Sequence, residues 1–165
     1  MTAKIGGAAT TKVIARMTAP TGIGSSLAAL TAPGDKPAAV DLGQIRAQYV
    51  AADLAERSGV VKYPSIQVYC EKVVNDLKEK FRSFSGRVQM SVEVRHSQDR
   101  LDGLQQALEL YTDAVTAVLS AGRGDWGDGM FYGGGYEVGF GAVKSGGKNF
   151  IQVAKITFEI GVSRN

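Results

Sequence analysis

"KNFIQVAKITFEIGV", residues 148–162, alternates for its whole length. Phe150, Gln152, Ala154, Ile156, Phe158, Ile160 and Val162 fall on one side, and Lys155, Thr157 and Glu159 on the other. A period of two over so many residues predicts a long strand with one face against a core. "RVQMSVEVR" (87–95) repeats the pattern, with Val88, Met90, Val92 and Val94 opposite Gln89, Ser91 and Glu93. "YPSIQVYC" (63–70) sets Ile66, Val68 and Cys70 against Gln67 and Tyr69, behind Pro64, a residue tolerated at the start of a strand. "YEVGFGAV" (136–143) predicts one more strand, with Tyr136, Val138, Phe140 and Ala142 sharing a face. The glycines of "KSGGK" (144–148) join it to the last strand as a hairpin turn.

Between the second and third strands the period changes. In "SQDRLDGLQQALELYTDAVTAVLSAG" (97–122), Leu101, Leu104, Leu108, Tyr111, Val115 and Val118 recur at three- and four-residue steps. That is one apolar stripe on a long helix, with Ser97 as the expected N-cap, Asp99 near the positive end of the dipole and Gly122 as the stop. Residues 61–165 therefore predict an α+β domain: a mostly antiparallel four-stranded sheet packed on a long central helix. Residues 1–60 have another texture. They are rich in Ala, Thr, Gly and Pro and predict a helical or extended N-terminal arm. "ATTKVIARM" (9–17) reads as a short helix, with Val13, Ile14 and Met17 on one face. "DLGQIRAQYVAADLAERSG" (41–59) reads as a longer one, capped by Asp41 and closed by Gly59, with Leu42, Ile45, Tyr49 and Ala52 aligned.

The chain has 165 residues, a net charge of +3 and 21% charged residues, scattered rather than clustered. It is long enough to bury a full core. No basic stripe for nucleic acid is visible, and no apolar run reaches membrane-spanning length. The single cysteine, Cys70, excludes an internal disulfide, and its apolar setting reads as an inert thiol. The expectation is a soluble chain made in a reducing compartment.

"GRGDWGDGMFYGGGYEVGFG" (122–141) invites a ligand reading, since nine of its twenty residues are glycine. A dinucleotide fingerprint needs its glycines between a strand and a helix start, and here they follow a helix and precede a strand. A P-loop needs Gly-Lys-Ser/Thr, which neither this stretch nor "GIGSS" (22–26) contains. Asp125 and Asp128 lack the spacing of a calcium loop and read as turn formers. "RGD" (123–125) is too short to carry an adhesion reading. Glu71 with Asp76, and Asp99 with Asp102, sit among lysines and arginines as solvated surface. Hydrolysis would have to use the only histidine, His96, with Asp99 and the glycine-rich loop, and no G-x-S-x-G serine is present. This small ligand-binding or hydrolytic enzyme is the alternative reading. The preferred one is a non-enzymatic protein with no cofactor, whose partners are proteins.

"YPSIQVYCEKVVN" (63–75), "FSGRVQMSVEVRHSQDRLDGL" (84–104), "LYTDAVTAVL" (110–119) and the run from Arg123 to Val162 resemble tailed-bacteriophage virion proteins of the tail terminator, or tail-completion, family. The likeness rests on the Y-P-x-I-x-V start of the first strand, the S-x-D turn before the helix and the final Phe- and Gln-containing strand. It spans about residues 60–162. The resemblance implies a hexameric ring at the head-proximal end of the tail that ends tail-tube polymerisation and joins the tail to the neck. Partners would be copies of the chain, the tail-tube protein and a head-side connector or stopper. DNA would pass through the ring without sequence readout, and no membrane would be involved. The site would be the virion neck, after assembly in the bacterial cytoplasm. Another head–tail connector or a tail-tube subunit is the neighbouring alternative. Exposure and chemistry place the expected contacts at Arg123, Asp125, Trp126, Asp128, Met130, Phe131 and Tyr132 in a flexible loop, at Lys144, Lys148 and Asn149 in the hairpin, and along the N-terminal arm.

Overall fold

The computed structural model describes residues 4–57, 59 and 61–165. In chain order the elements are α1 (Ile5–Thr18), α2 (Ile23–Leu30), a 3₁₀ turn (Leu42–Gln44), β1 (Ile45–Arg46), α3 (Ala52–Arg57), β2 (Ser65–Asn75), β3 (Phe84–Gln98) and α4 (Leu104–Ala121). Then come β4 (Gly124–Gly127), β5 (Met130–Tyr132), β6 (Glu137–Phe140), β7 (Lys144–Gly146) and β8 (Asn149–Arg164). The class is α+β, but the sheet among the described residues has eight strands rather than four, in the order β1-β2-β3-β8-β5-β4. β1 joins β2 in parallel; the remaining pairings are antiparallel. The predicted strand at 136–143 is the short β6, which pairs with β8 and is followed by a separate β7 that also pairs with β8.

The three long strands agree with their periodicity. Register sets Val92 between Val68 and Ile156, and Met90 beside Phe158, so one face of the sheet is a continuous apolar surface. Ile66, Val68, Val88, Met90, Val92, Val94, Ile156 and Ile160 are fully buried on it. α4 covers this face with Leu104, Leu108, Tyr111, Val115, Val118 and Leu119. Each such side chain contributes about 1.5–3 kcal/mol on burial.

The structure moves the start of α4. The hydrogen-bond ladder between β3 and β8 continues to Gln98 opposite Phe150, so Ser97 is a strand residue and not an N-cap. The helix begins after Gly103 (φ 80°), and Leu101 is exposed before it. The cap signal is local; the ladder to β8 overrides it.

Residues 5–30 are helical, with the short helix expected over 9–17 inside α1, and they pack as part of the core rather than as a separate arm. α1 turns Ile5, Ala9, Val13 and Met17 into the same hydrophobic core as the sheet and α4, and α2 adds Ile23 and Leu27. α1 lies so close to β2 that a Cβ on Gly6 would stand 3.0 Å from the Cys70 sulfur. The helix expected over 41–59 is also absent as one element. Only the 3₁₀ turn and α3 remain of it, with β1 between. Residues 49–50 instead reach the second face of the sheet. Tyr49 stacks on Tyr69 with ring centroids 4.0 Å apart, the Val50 N–H donates to Gln67 Oε1 (3.0 Å), and Arg95 Nη2 donates to the Val50 carbonyl (2.6 Å). Asp41 keeps a capping role at the 3₁₀ turn, its N–H donating to Gln44 Oε1. No helix among the described residues is long and apolar enough to cross a membrane.

Candidate functional site

The glycine-rich stretch after α4 is a β-hairpin, not a flexible loop. β4 and β5 pair through Gly124–Tyr132 and Asp125–Phe131, with a bulge before Gly127–Met130. Gly129 (φ 73°) makes the turn, and a Cβ there would lie 1.9 Å from the Ser163 carbonyl oxygen, so only glycine fits. Alternation around the bulge sends Trp126, Met130 and Tyr132 inward and Phe131 outward. Trp126 is 6% exposed, and its Nε1 donates to the Gly122 carbonyl (2.6 Å). Its ring packs against Tyr132 and lies under the Arg16 guanidinium at 4.4 Å, a cation–π contact. Tyr132 packs edge-on to Phe158, and burial pushes its phenol up to about 12. Three of the four large side chains expected on a contact patch are therefore core residues of this chain. Phe131 alone is exposed, on the face of the sheet opposite α1 and α4.

The polar members of the expected set stand at the surface. Asp125 accepts a hydrogen bond from the Gly127 N–H (2.8 Å), the turn-forming role its spacing implied. Asp128 pairs with Lys12 of α1 at 2.9 Å, and that hydrogen bond holds its carboxyl below the usual range. Arg123 lies along Gly134. Lys144 and Asn149 flank the β7–β8 turn with Lys148, all three exposed, with Lys144 opposite Ile151. The expected contacts thus divide between the two ends of β8, since β5 pairs with Ile160–Val162 and β7 with Asn149–Ile151.

A third surface went unread in the sequence. The β2–β3 connection, residues 76–83, carries Leu77 (61% exposed) and Phe81 (100% exposed). Both hold left-handed backbone, φ 48° and 64°, which is costly for non-glycine residues. Hydrogen bonds fix the tip in this form. Asn75 Oδ1 accepts from the Leu77 and Ser85 N–H groups, and Asn75 Nδ2 donates to the Ser83 carbonyl. Glu79 accepts from Ser163 Oγ (2.7 Å), and Arg82 donates to Asn165 Oδ1 (2.7 Å), which ties the tip to the end of β8. The signal in the sequence was the pair of large apolar residues in an otherwise polar turn, "DLKEKFRS" (76–83).

Beside this tip the second face of the sheet opens into a groove of about 790 Å³ between Arg87, Gln89 and Glu159 and the residues 131–137. Charges on this face are mostly matched. Lys155 pairs with Glu71, holding the Glu71 carboxyl below and the Lys155 ammonium above their ordinary values. Arg95 and Glu93 form a buried pair at 2.6 Å, and Arg87 bridges Asp76 and Glu159. Burial pushes the Tyr69 phenol up, with the Glu93 charge adding to it.

The residues of the enzymatic alternative are scattered. His96 pairs with Gln152 in the ladder and turns toward α4, its ring 5.4 Å from that of Tyr111. Burial pushes its pKa down, with a Gln98 hydrogen bond pulling the other way. Asp99 is exposed beyond the strand end, and the glycine-rich hairpin lies toward the far end of β8. Cys70 pairs with Met90, well along β3 from His96, and burial raises its thiol pKa, the opposite of what a nucleophile needs. Among the described residues no three His, Cys, Asp or Glu side chains gather as a metal site. No protein-family model matches the chain, and no curated protein matches it.

Proposed function

We propose that the chain is a structural assembly protein of the tail-terminator type: a closed homo-oligomeric ring at the head-proximal end of a phage tail, which ends tube growth and meets the neck. The observation that carries this is the pre-organised apolar display at the tip and along the free side of β6 and β7. Phe81, Leu77, Phe131, Tyr136, Phe140 and Val143 are all exposed: Phe81 and Leu77 on a tip fixed by side-chain hydrogen bonds, Phe131 and Phe140 on strands paired to β8, and Tyr136 and Val143 in the links just before β6 and β7. Ordered aromatic groups at the surface lose little entropy on docking and are the usual anchors of protein interfaces. The α+β class agrees with the fold the resemblance implies. In this reading the chain works by stoichiometric binding to its own copies, to the tube protein and to a head-side connector, inside the virion.

The test is electron microscopy of gold-labelled chain incubated with tail tubes from the virus whose genome encodes it. Label at one end of each tube, with elongation halted there, is the expected result. Label along the tube identifies a tube subunit instead, and tubes without label remove the reading.

A further inference from the structure

We infer that a second copy of this chain seats the Phe81 tip in the open groove on the face of the sheet opposite α1 and α4. The inference rests on the self-association in the proposed function and names its surface. Phe81 is wholly exposed although its loop is bonded to Ser163 and Asn165, so a chain cannot bring its own tip into its own groove without breaking those bonds. The groove beside it has the matching features. Its lining includes Gly161 and Gly135, where no side chain occupies the space, and Phe131 and Tyr136 supply apolar surface at its rim. A volume of about 790 Å³ takes a phenylalanine ring together with the turn that carries it.

Charge supports the same pairing. Lys80, next to Phe81, has no ion pair among the described residues, and neither has Glu137 on the far rim of the groove. The other charges nearby are engaged: Lys78 with Asp76, Arg82 with Glu79, and Arg87 with both Asp76 and Glu159. A tip arriving from another copy brings an unmatched cation to an unmatched carboxylate and an exposed aromatic ring to an apolar rim. Tip and groove adjoin, with Lys78 of the tip lining part of the groove, but Phe81 and Lys80 lie outside that lining. The contact therefore closes either as a two-fold exchange of tips or as a head-to-tail ring.

The experiment is sedimentation equilibrium of the full chain and four variants, with thermal melting of each. Phe81→Asn removes the ring but keeps a residue that accepts left-handed backbone. Gly161→Val fills the groove floor, where a Cβ stands 3.6 Å from the Phe131 carbonyl oxygen, an ordinary contact. Each is expected to raise the dissociation constant of self-association roughly thirtyfold or more, the loss typical of an interface anchor, while melting stays within about 2 °C of the parent. Lys80→Glu alone is expected to weaken assembly, and Lys80→Glu with Glu137→Lys to restore it. Assembly of Phe81→Asn and Gly161→Val equal to the parent overturns this contact and leaves the ring reading standing. A parent chain that stays monomeric overturns both. Binding of the parent to phosphatidylserine vesicles, lost in Phe81→Asn with no change in mass, also overturns the inference and assigns the tip to a lipid surface.

Discussion

Strand β8 has two edges, and they are built differently. Along one, every residue of β3 from Phe84 to Gln98 pairs with it in unbroken register. Along the other, β5, β6 and β7 pair in separate short pieces, interrupted at 133–136 and 141–143. The unbroken side carries the core: its alternate side chains from Val88 to Val94 are fully buried in the cluster shared with α1 and α4. The broken side buries Met130 and Tyr132 at one end, half-buries Val138 against the core, and leaves Tyr136, Phe140 and Val143 exposed. Elements with few buried apolar groups open most easily and are the ones free to meet partners. One strand thus divides the molecule into a part that makes the fold and a part that the fold presents.

That division is open to test, and the largest effect is expected at the N-terminus. Removing residues 1–30 takes Ile5, Ala9, Val13, Met17, Ile23 and Leu27 from the core, and with them its packing against α4 and β2. The expected outcome is loss of a cooperative thermal transition by circular dichroism. A truncated chain that still melts cooperatively would return these residues to the status of an arm. Next is a contrast within one hairpin. Trp126→Ala should cost about 3–5 kcal/mol in urea denaturation, and Phe131→Ala should stay within about 0.5 kcal/mol. Equal losses would erase the difference between the two faces. On the broken edge, Phe140→Ser should likewise fall within about 0.5 kcal/mol, against about 2–5 kcal/mol for Ile156→Ala, its near neighbour in register on the same face.

The smallest effect is a pH dependence. His96, the only histidine, has its folded pKa pushed below its ordinary value by burial. The unfolded chain then binds the proton more tightly, so stability rises with pH through this window. The contribution of neutral His96 is fully present above about pH 6.5, the unfolded value, and is lost as pH falls toward the folded one. Melting temperature should drop between about pH 7.5 and about pH 5.5, and His96→Gln should flatten that slope. An unchanged slope in the variant would assign the dependence to other groups.

Much of this was legible in the sequence, and what was not has physical causes. The period of two in 148–162 and 87–95 survived because both strands are central, and burial fixes the facing of each residue. The stripe of α4 survived too, but its start did not. Ser97 and Asp99 offer a local cap, while the ladder to Phe150 and Ile151 offers paired backbone, and the ladder wins. The helical spacing of Leu42, Ile45 and Tyr49 gave way for a similar reason. Tyr49 finds the Tyr69 ring and Val50 finds Gln67 and Arg95, contacts that spacing along the chain cannot encode. Trp126, Met130 and Tyr132 were hidden by the surrounding glycines, although inward and outward residues do alternate there once the bulge is counted. The Phe81 tip left only one trace, two large apolar side chains in a polar turn, and its exposure depends on hydrogen bonds to the far end of the chain.

The claim that the presented side serves assembly is tested most directly by native mass measurement of the full chain across a wide range of concentrations. The account predicts one closed oligomer whose mass reaches a fixed value and rises no further. A monomer at every concentration, or a mass that grows without limit, would contradict it.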